Sequence, residues 1–181
     1  MKWRHKAGFS ILEMLIVMSI LAILAAMGVQ AYSSFLNKQG MNAGIEHALA
    51  ILQRARSYTL ASYDASGGTG RNYGVHIDTG TDTFTLFYST SACGSFISGT
   101  NEVAVPEELS KEVDIISRNF SASADDVVFQ RITGDAKAAD GGCVNLPTLP
   151  PPGGGTIDLR SRRSGETKTI RILPTGVIEV L

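Results

Sequence analysis

The hydrophobic pattern changes character twice along the chain. Residues 9–29 read FSILEMLIVMSILAILAAMGV, and only Ser10, Glu13, Ser19 and Gly28 interrupt the apolar run. A helix needs about 20 mostly apolar residues to cross the ~30 Å hydrocarbon core of a bilayer, so this run is long enough to span one. Farther on, Ile45, Ala48, Leu49, Leu52 and Ala55 recur at spacings of three and four, while Glu46, Gln53, Arg54 and Arg56 lie mostly off that face. This spacing marks an amphipathic helix. No proline precedes Pro106. The pattern therefore predicts one helix over residues 9–61. Its first half is apolar all round, as for lipid, and its second half is one-sided, for packing against a globular domain.

Past residue 61 the period shortens. Gly67, Gly68 and Gly70 mark a loop over 63–72. Residues 73–78 and 83–89 alternate around Thr79-Gly80-Thr81-Asp82, which reads as a hairpin. Further strands are expected at 112–117 and 126–132. Residues 133–155 read as a long irregular stretch that ends in three prolines and three glycines. A second hairpin is expected from 156–161 and 167–173 around Arg162-Arg163-Ser164-Gly165. Pro174-Thr175-Gly176 then turns into a last strand, 177–181. Helix first and strands afterwards predict an α+β fold, a long N-terminal helix packed on an antiparallel β domain.

Charge sharpens the picture at the N-terminus. Lys2, Arg4 and Lys6 precede the apolar run, and without them 13 basic residues would face 17 acidic ones, a net of −4. Bulk charge therefore argues against nucleic acid as the main partner. Charged residues make up only 18% of the chain, below the ~25% usual for soluble domains. The basic start followed by an apolar helix fits a signal anchor, which places residues 2–6 in the cytoplasm and the remainder outside. An ordinary secretory signal fits less well, since no small-residue cleavage site with a polar exit follows Val29. Glu13 is what a plain anchor does not explain. A carboxylate inside a membrane helix costs about 3 kcal/mol on insertion scales, so it either snorkels to the headgroups or has a partner.

Gly8-Phe9-Ser10-Ile11-Leu12-Glu13, after a short basic leader and before an apolar helix, resembles the processing site of type IV prepilins and pseudopilins. The resemblance covers about residues 1–35. It implies that a membrane prepilin peptidase cuts after Gly8 and methylates Phe9. It also implies that Glu13 pairs with the N-terminal amine of a neighbouring subunit during assembly. The family's late helix proline is missing, and Gly28-Val29-Gln30 stands in its place. The division that follows is a leader at 1–8, a transmembrane and assembly helix at 9–31, and an extracytoplasmic pilin-like domain at 32–181. In the C-terminal half, Val127-Val128-Phe129, Gly155-Thr156-Ile157-Asp158-Leu159 and Thr169-Ile170-Arg171-Ile172 with Pro174-Thr175-Gly176-Val177-Ile178 are similar to the strand pattern of GspH/FimT-type minor pseudopilins. That similarity implies a minor subunit of a type II secretion pseudopilus or type IV pilus, near its tip. The partners implied are other pilins or pseudopilins, the prepilin peptidase, an inner-membrane assembly platform and membrane lipid. The location implied is the cytoplasmic (inner) membrane, with the C-terminal domain outside.

Chemistry elsewhere in the sequence is thin, and neither a catalytic constellation nor a cofactor or metal site is expected. His5, His47 and His76 lack metal-ligand spacing. The glycines at 67, 68 and 70 lack the Lys-Ser/Thr ending of a phosphate loop. Asp78 and Asp82 flank a turn and read as turn chemistry rather than a Ca²⁺ loop. Gly40 and Gly44 form a small-xxx-small pair, expected to serve a bend or tight packing ahead of a dimerisation face. Arg160, Arg162, Arg163 and Arg171 gather near the second hairpin. They read first as a solvated turn and second as a DNA phosphate contact, which leaves a DNA-binding minor pilin as the alternative function. Cys93 and Cys143 are the only cysteines. Both fall beyond the membrane helix, on the side where oxidation is expected, so a disulfide between them is predicted ahead of two unpaired small apolar residues.

Overall fold

The computed structural model describes residues 10–61, 71–120, 124–131, 133–139, 142–147 and 153–181. One helix, α1 (Ile11–Leu60), opens the chain. Ser10 caps it, since its Oγ accepts the Leu12 amide at 3.3 Å and so occupies one of the donors that a helix start leaves free. The expected first residue, Phe9, lies outside the described residues.

The chain divides into two compact units, up to Lys38 and from Gln39 onward. In the first, every described side chain from Ser10 to Met27 is exposed, apolar ones included. This stretch of α1 is long and apolar enough to cross a membrane. In the second, α1 buries Met41, Ile45, Ala48, Ile51, Leu52 and Ala55. That is the expected one-sided face, with Met41 and Ile51 added and Leu49 only partly buried against it.

Ten strands follow: β1 (Asn72–Asp78), β2 (Thr83–Ser89), β3 (Glu107–Glu108), β4 (Val113–Asn119), β5 (Asp126–Phe129), β6 (Ala136–Ala139), β7 (Cys143–Asn145), β8 (Gly155–Ser161), β9 (Thr167–Ile172) and β10 (Ile178–Val180). They form two antiparallel sheets, ordered β3-β2-β1-β5-β6-β7 and β10-β9-β8-β4. The fold is α+β. Alternation aims Tyr73, Val75, Ile77, Phe84 and Leu86 of the first sheet, and Val113, Ile157, Leu159, Ile170 and Ile172 of the second, into one core with the helix. The other face of the first sheet holds a smaller cluster, Phe87, Val128, Ala139 and Cys93, with Phe96 against it. Strand β2 is thus buried on both faces.

Three departures from the expected elements have local causes. The 133–155 stretch is not irregular throughout, since β6 and β7 lie in it. Their Ala, Lys, Cys and Asn residues carry little strand propensity, and pairing to the β5 edge makes them strands. Strand β3 was invisible for the same reason, being two glutamates paired to Thr83 and Phe84. The strand expected over 126–132 stops at Phe129, because Gln130 and Asp135 close a turn there, with the Gln130 amide on the Asp135 carbonyl at 2.8 Å. The loop expected over 63–72 falls largely on 62–70, outside the described residues.

Gly40 and Gly44 face β4. An ideal Cβ on Gly44 would lie 2.7 Å from Val113 Cγ2, and one on Gly40 3.3 Å from Glu112 Cβ. Within the domain, then, the pair serves close helix-to-strand packing.

Candidate functional site: the helix N-terminus and the charged surface

Glu13 sits in the first turn of α1, where the helix dipole favours negative charge. Ser10 and Glu13 also stand at the two positions of a capping box. The Ser-x-x-Glu spacing was available in the sequence as a helix-start signal beside the processing motif. Among the described residues Glu13 has no ion-pair partner. Gly8 and Phe9 lie outside the described residues.

The C-terminal half holds its charges in pairs. Arg160 meets Asp114 at 3.5 Å, Arg162 meets Asp82 at 2.8 Å and also Asp114, Arg163 meets Glu112 at 2.6 Å, and Arg171 meets Glu179 at 2.6 Å. The Asp114 carboxylate, seconded by Asp82, raises the Arg162 pKa further above its ordinary value. The arginines near the second hairpin are therefore paired with acids from the first hairpin turn, from β4 and the residue before it, and from β10, rather than forming a free basic patch.

Cys93 and Cys143 form a disulfide with a Cα separation of 5.1 Å. It ties the segment after β2 to the edge strand β7. The same segment is held by Asp126, whose Oδ2 accepts the Phe96 amide at 2.8 Å while Oδ1 meets His76 Nδ1 at 2.6 Å. Phe96 stacks on the His76 ring, with centroids 4.4 Å apart. Nothing in the sequence announced this, because its members are 20 to 50 positions apart and only strand pairing joins them.

His47 and Arg54 of α1 both reach Glu107, at 2.9 and 2.8 Å. Partial burial pushes the Glu107 pKa up, but the His47 hydrogen bond and the Arg54 charge outweigh it, and the carboxyl ends below its ordinary value. Asp78 is lowered as well, chiefly by the Gly80 amide and then by the Thr81 hydroxyl. That is the turn chemistry expected of it. Among the described residues no three His, Cys, Asp or Glu side chains come together as a metal set.

Residues 3–29 match the family model of the prokaryotic N-terminal methylation motif. The chain carries that motif at its N-terminus. The match covers part of the basic N-terminal segment and the apolar run, and does not extend to the β domain. No curated protein matches it. Among solved structures it is similar to the minor pseudopilin EpsH from the type 2 secretion system of Vibrio cholerae. The identity is 15%, 77% of this chain and 96% of that chain are covered, and the TM-score is 0.47.

Proposed function

We propose that the chain is a structural subunit, a minor pilin or pseudopilin, cut after Gly8 and methylated at Phe9. In this reading residues 9–31 hold it in the cytoplasmic membrane as a single span. Residues 32–181 then lie outside, and the subunit enters a type II secretion pseudopilus or a type IV pilus near its tip. The observation that carries the proposal is the two-part helix. Its first described turns are apolar all round and exposed, with Glu13 as their one charge, and its second half is built into the core of a β domain.

The physics of assembly follows from that arrangement. Cleavage frees an amine at Phe9, four residues from Glu13. Both charges are costly in lipid when alone. If neighbouring helices are staggered by about one turn, the amine of one meets Glu13 of the next, and both are compensated only in the assembled filament. The peptidase, the assembly platform and fellow subunits are the partners this requires. The reading has no enzymatic step. DNA uptake is the weaker reading, because the arginines it would use are held by Asp82, Glu112, Asp114 and Glu179.

Intact mass of membrane-extracted protein tests the processing step. The mature chain begins at methylated Phe9 and contains no tryptophan, since Trp3 is the only one. A chain that keeps Met1, or one cut after Ala26, overturns the proposal. Glu13→Ala is expected to leave the β domain equally stable and to deplete the protein from filaments. Wild-type incorporation would remove the amine-pairing role.

A further inference from the structure

Three arginines stand outside the ion-pair network. Arg56, Arg71 and Arg131 have no carboxylate partner among the described residues, whereas Arg54, Arg118 and the arginines near the second hairpin all do. The fold brings the three to one end of the domain. Arg56 lies about one turn before the end of α1, and Arg71 immediately precedes β1. Arg131 lies just past the end of β5, and Tyr73 at the start of β1 is paired with Phe129 at the end of β5. The Arg131 amide donates to Asn72 Oδ1 at 2.7 Å. The turn that carries Arg131 rests on the helix end: a Cβ on Gly134 would lie 3.1 Å from Leu60 Cδ2 and 3.5 Å from Arg56 Nε.

Two of these guanidinium groups are partly desolvated, each with one nitrogen that lacks an acceptor. Arg56 Nε and Arg71 Nη1 are buried without a hydrogen-bond partner among the described residues. The other contact of Arg56 is a long one, Nη2 to the Thr175 carbonyl at 3.5 Å. Arg71 lies over the Tyr88 ring, with Cζ 4.0 Å from the centroid. Guanidinium groups fixed by stacking and packing have already lost most of their rotamer freedom, so an acceptor that arrives gains at little further entropic cost. Exposed apolar side chains lie beside them, Leu60 at 48% and Val177, next to Gly176, at 41%.

We infer that this end of the domain is a docking surface for a carboxylate-bearing face of another protein subunit. The inference rests on the reading of the chain as a filament subunit and names one of its contacts. Planar guanidinium forks match carboxylates in paired hydrogen bonds. The apolar neighbours suit a protein face, since a protein interface has an apolar centre and arginine is enriched in it. A phosphate polymer suits it poorly. Asp135 shares the turn, Asp64 is the one acid within 62–70, and the processed chain has a net charge of −4, so too little positive charge remains for nucleic acid.

The test uses full-length processed protein in detergent micelles, with ¹⁵N-labelled arginine and capped hexaglutamate as the probe. The Nε–H resonances of Arg56, Arg71 and Arg131 should shift saturably, while those of Arg162 and Arg163 stay in place. The variant R56Q/R71Q/R131Q should bind at least tenfold more weakly. Should that variant fail to fold, Arg131→Gln alone, at an exposed position, should still weaken binding at least twofold. Absence of shifts, equal shifts at the paired arginines, or a tighter response to a 12-base-pair DNA duplex would each overturn the inference. Glu13→Ala separates the two ideas. It should leave the hexaglutamate response intact while blocking filament entry. A lost peptide response in wild-type protein that enters filaments normally overturns the docking surface alone.

Discussion

The carboxylate of Asp82, in the first hairpin turn, accepts the amide of Ile115 in β4 at 2.7 Å. Strand β4 is an edge of the second sheet, and Asp82 belongs to a turn of the first. One side chain therefore blocks an unpaired edge amide and fastens the two sheets together. Asp82 can do this because its backbone takes φ +53°, a conformation that Asp and Asn tolerate better than other residues with a Cβ. Its second oxygen takes Arg162. Asp82→Ala should therefore destabilise the protein by about 1–3 kcal/mol, through the orphaned Ile115 amide and added backbone strain. Asp82→Asn keeps an acceptor and the favourable backbone, and should cost less than about 1 kcal/mol, since the Arg162 pair is half exposed. Equal losses for the two variants by thermal melting would count against the amide contact as the larger part.

The approach of α1 to β4 sets a second expectation. Alanine is about 1 kcal/mol better than glycine inside a helix. At Gly44 the new methyl would meet Val113 Cγ2 at 2.7 Å, so overpacking should win and Gly44→Ala should lose about 1–3 kcal/mol. Adding Val113→Ala opens the space and should recover part of that loss. At Gly40 the nearest atom is 3.3 Å away, on the partly exposed Glu112, so Gly40→Ala should be near neutral. Paired melting curves of the three variants decide it.

What was legible in the sequence follows from the range of the interactions. The helix was legible because its cause is local: a continuous apolar run, then a three-and-four spacing, with no proline to stop it. The two hairpins were legible because Thr79-Gly80 and Ser164-Gly165 announce turns between alternating residues. The β6 and β7 strands were hidden because Ala-Lys-Ala-Ala and Cys-Val-Asn become strands only through pairing with β5 and one another. The residue types of the N-terminal motif were visible because they stand in one contiguous stretch, residues 3–29. The arginine cluster near the second hairpin was visible too, but the carboxylate partners of Arg162 and Arg163 lie 48 to 80 positions away, and sequence spacing does not tell a free cation from a paired one.

Acid should loosen the contact between α1 and β3. The His47 hydrogen bond and the Arg54 charge hold the folded-state pKa of Glu107 below the ordinary glutamate value. A depressed carboxyl contributes stability that is fully present above its unfolded pKa and is lost as pH falls through the folded one. The Glu107 contribution should therefore be constant from pH 7 to about 5 and be lost progressively as pH falls further, through the lowered folded-state value. Its side chain is 28% exposed and its partners 38% and 42%, so screening limits the effect to about 0.5–1 kcal/mol. Glu107→Gln should lower the melting temperature at pH 6 and flatten its fall between pH 5 and 3. An acid profile unchanged by Glu107→Gln would refute the assignment.

The disulfide provides the largest single effect. Cys93 and Cys143 are 50 positions apart, and closing a loop of that length removes unfolded-chain entropy worth about 4 kcal/mol in the entropic model. When the bridge opens, the segment after β2 depends on noncovalent contacts, among them the Asp126–Phe96 hydrogen bond, the stacking of Phe96 on His76 and the Asn72 side chain on the Ser91 carbonyl. Reduction, or Cys93→Ser with Cys143→Ser, should therefore lower global stability by about 2–4 kcal/mol. Amide exchange should rise first in β7 and in residues 90–101, ahead of the α1 face that packs on both sheets. A double-serine variant that melts with the wild type, or that exchanges uniformly faster, would show that the bridge restrains neither the unfolded chain nor this edge of the sheet. Thiol labelling of the unfolded, unreduced protein supplies the necessary control, with no free thiol expected in wild-type material taken from an oxidising compartment.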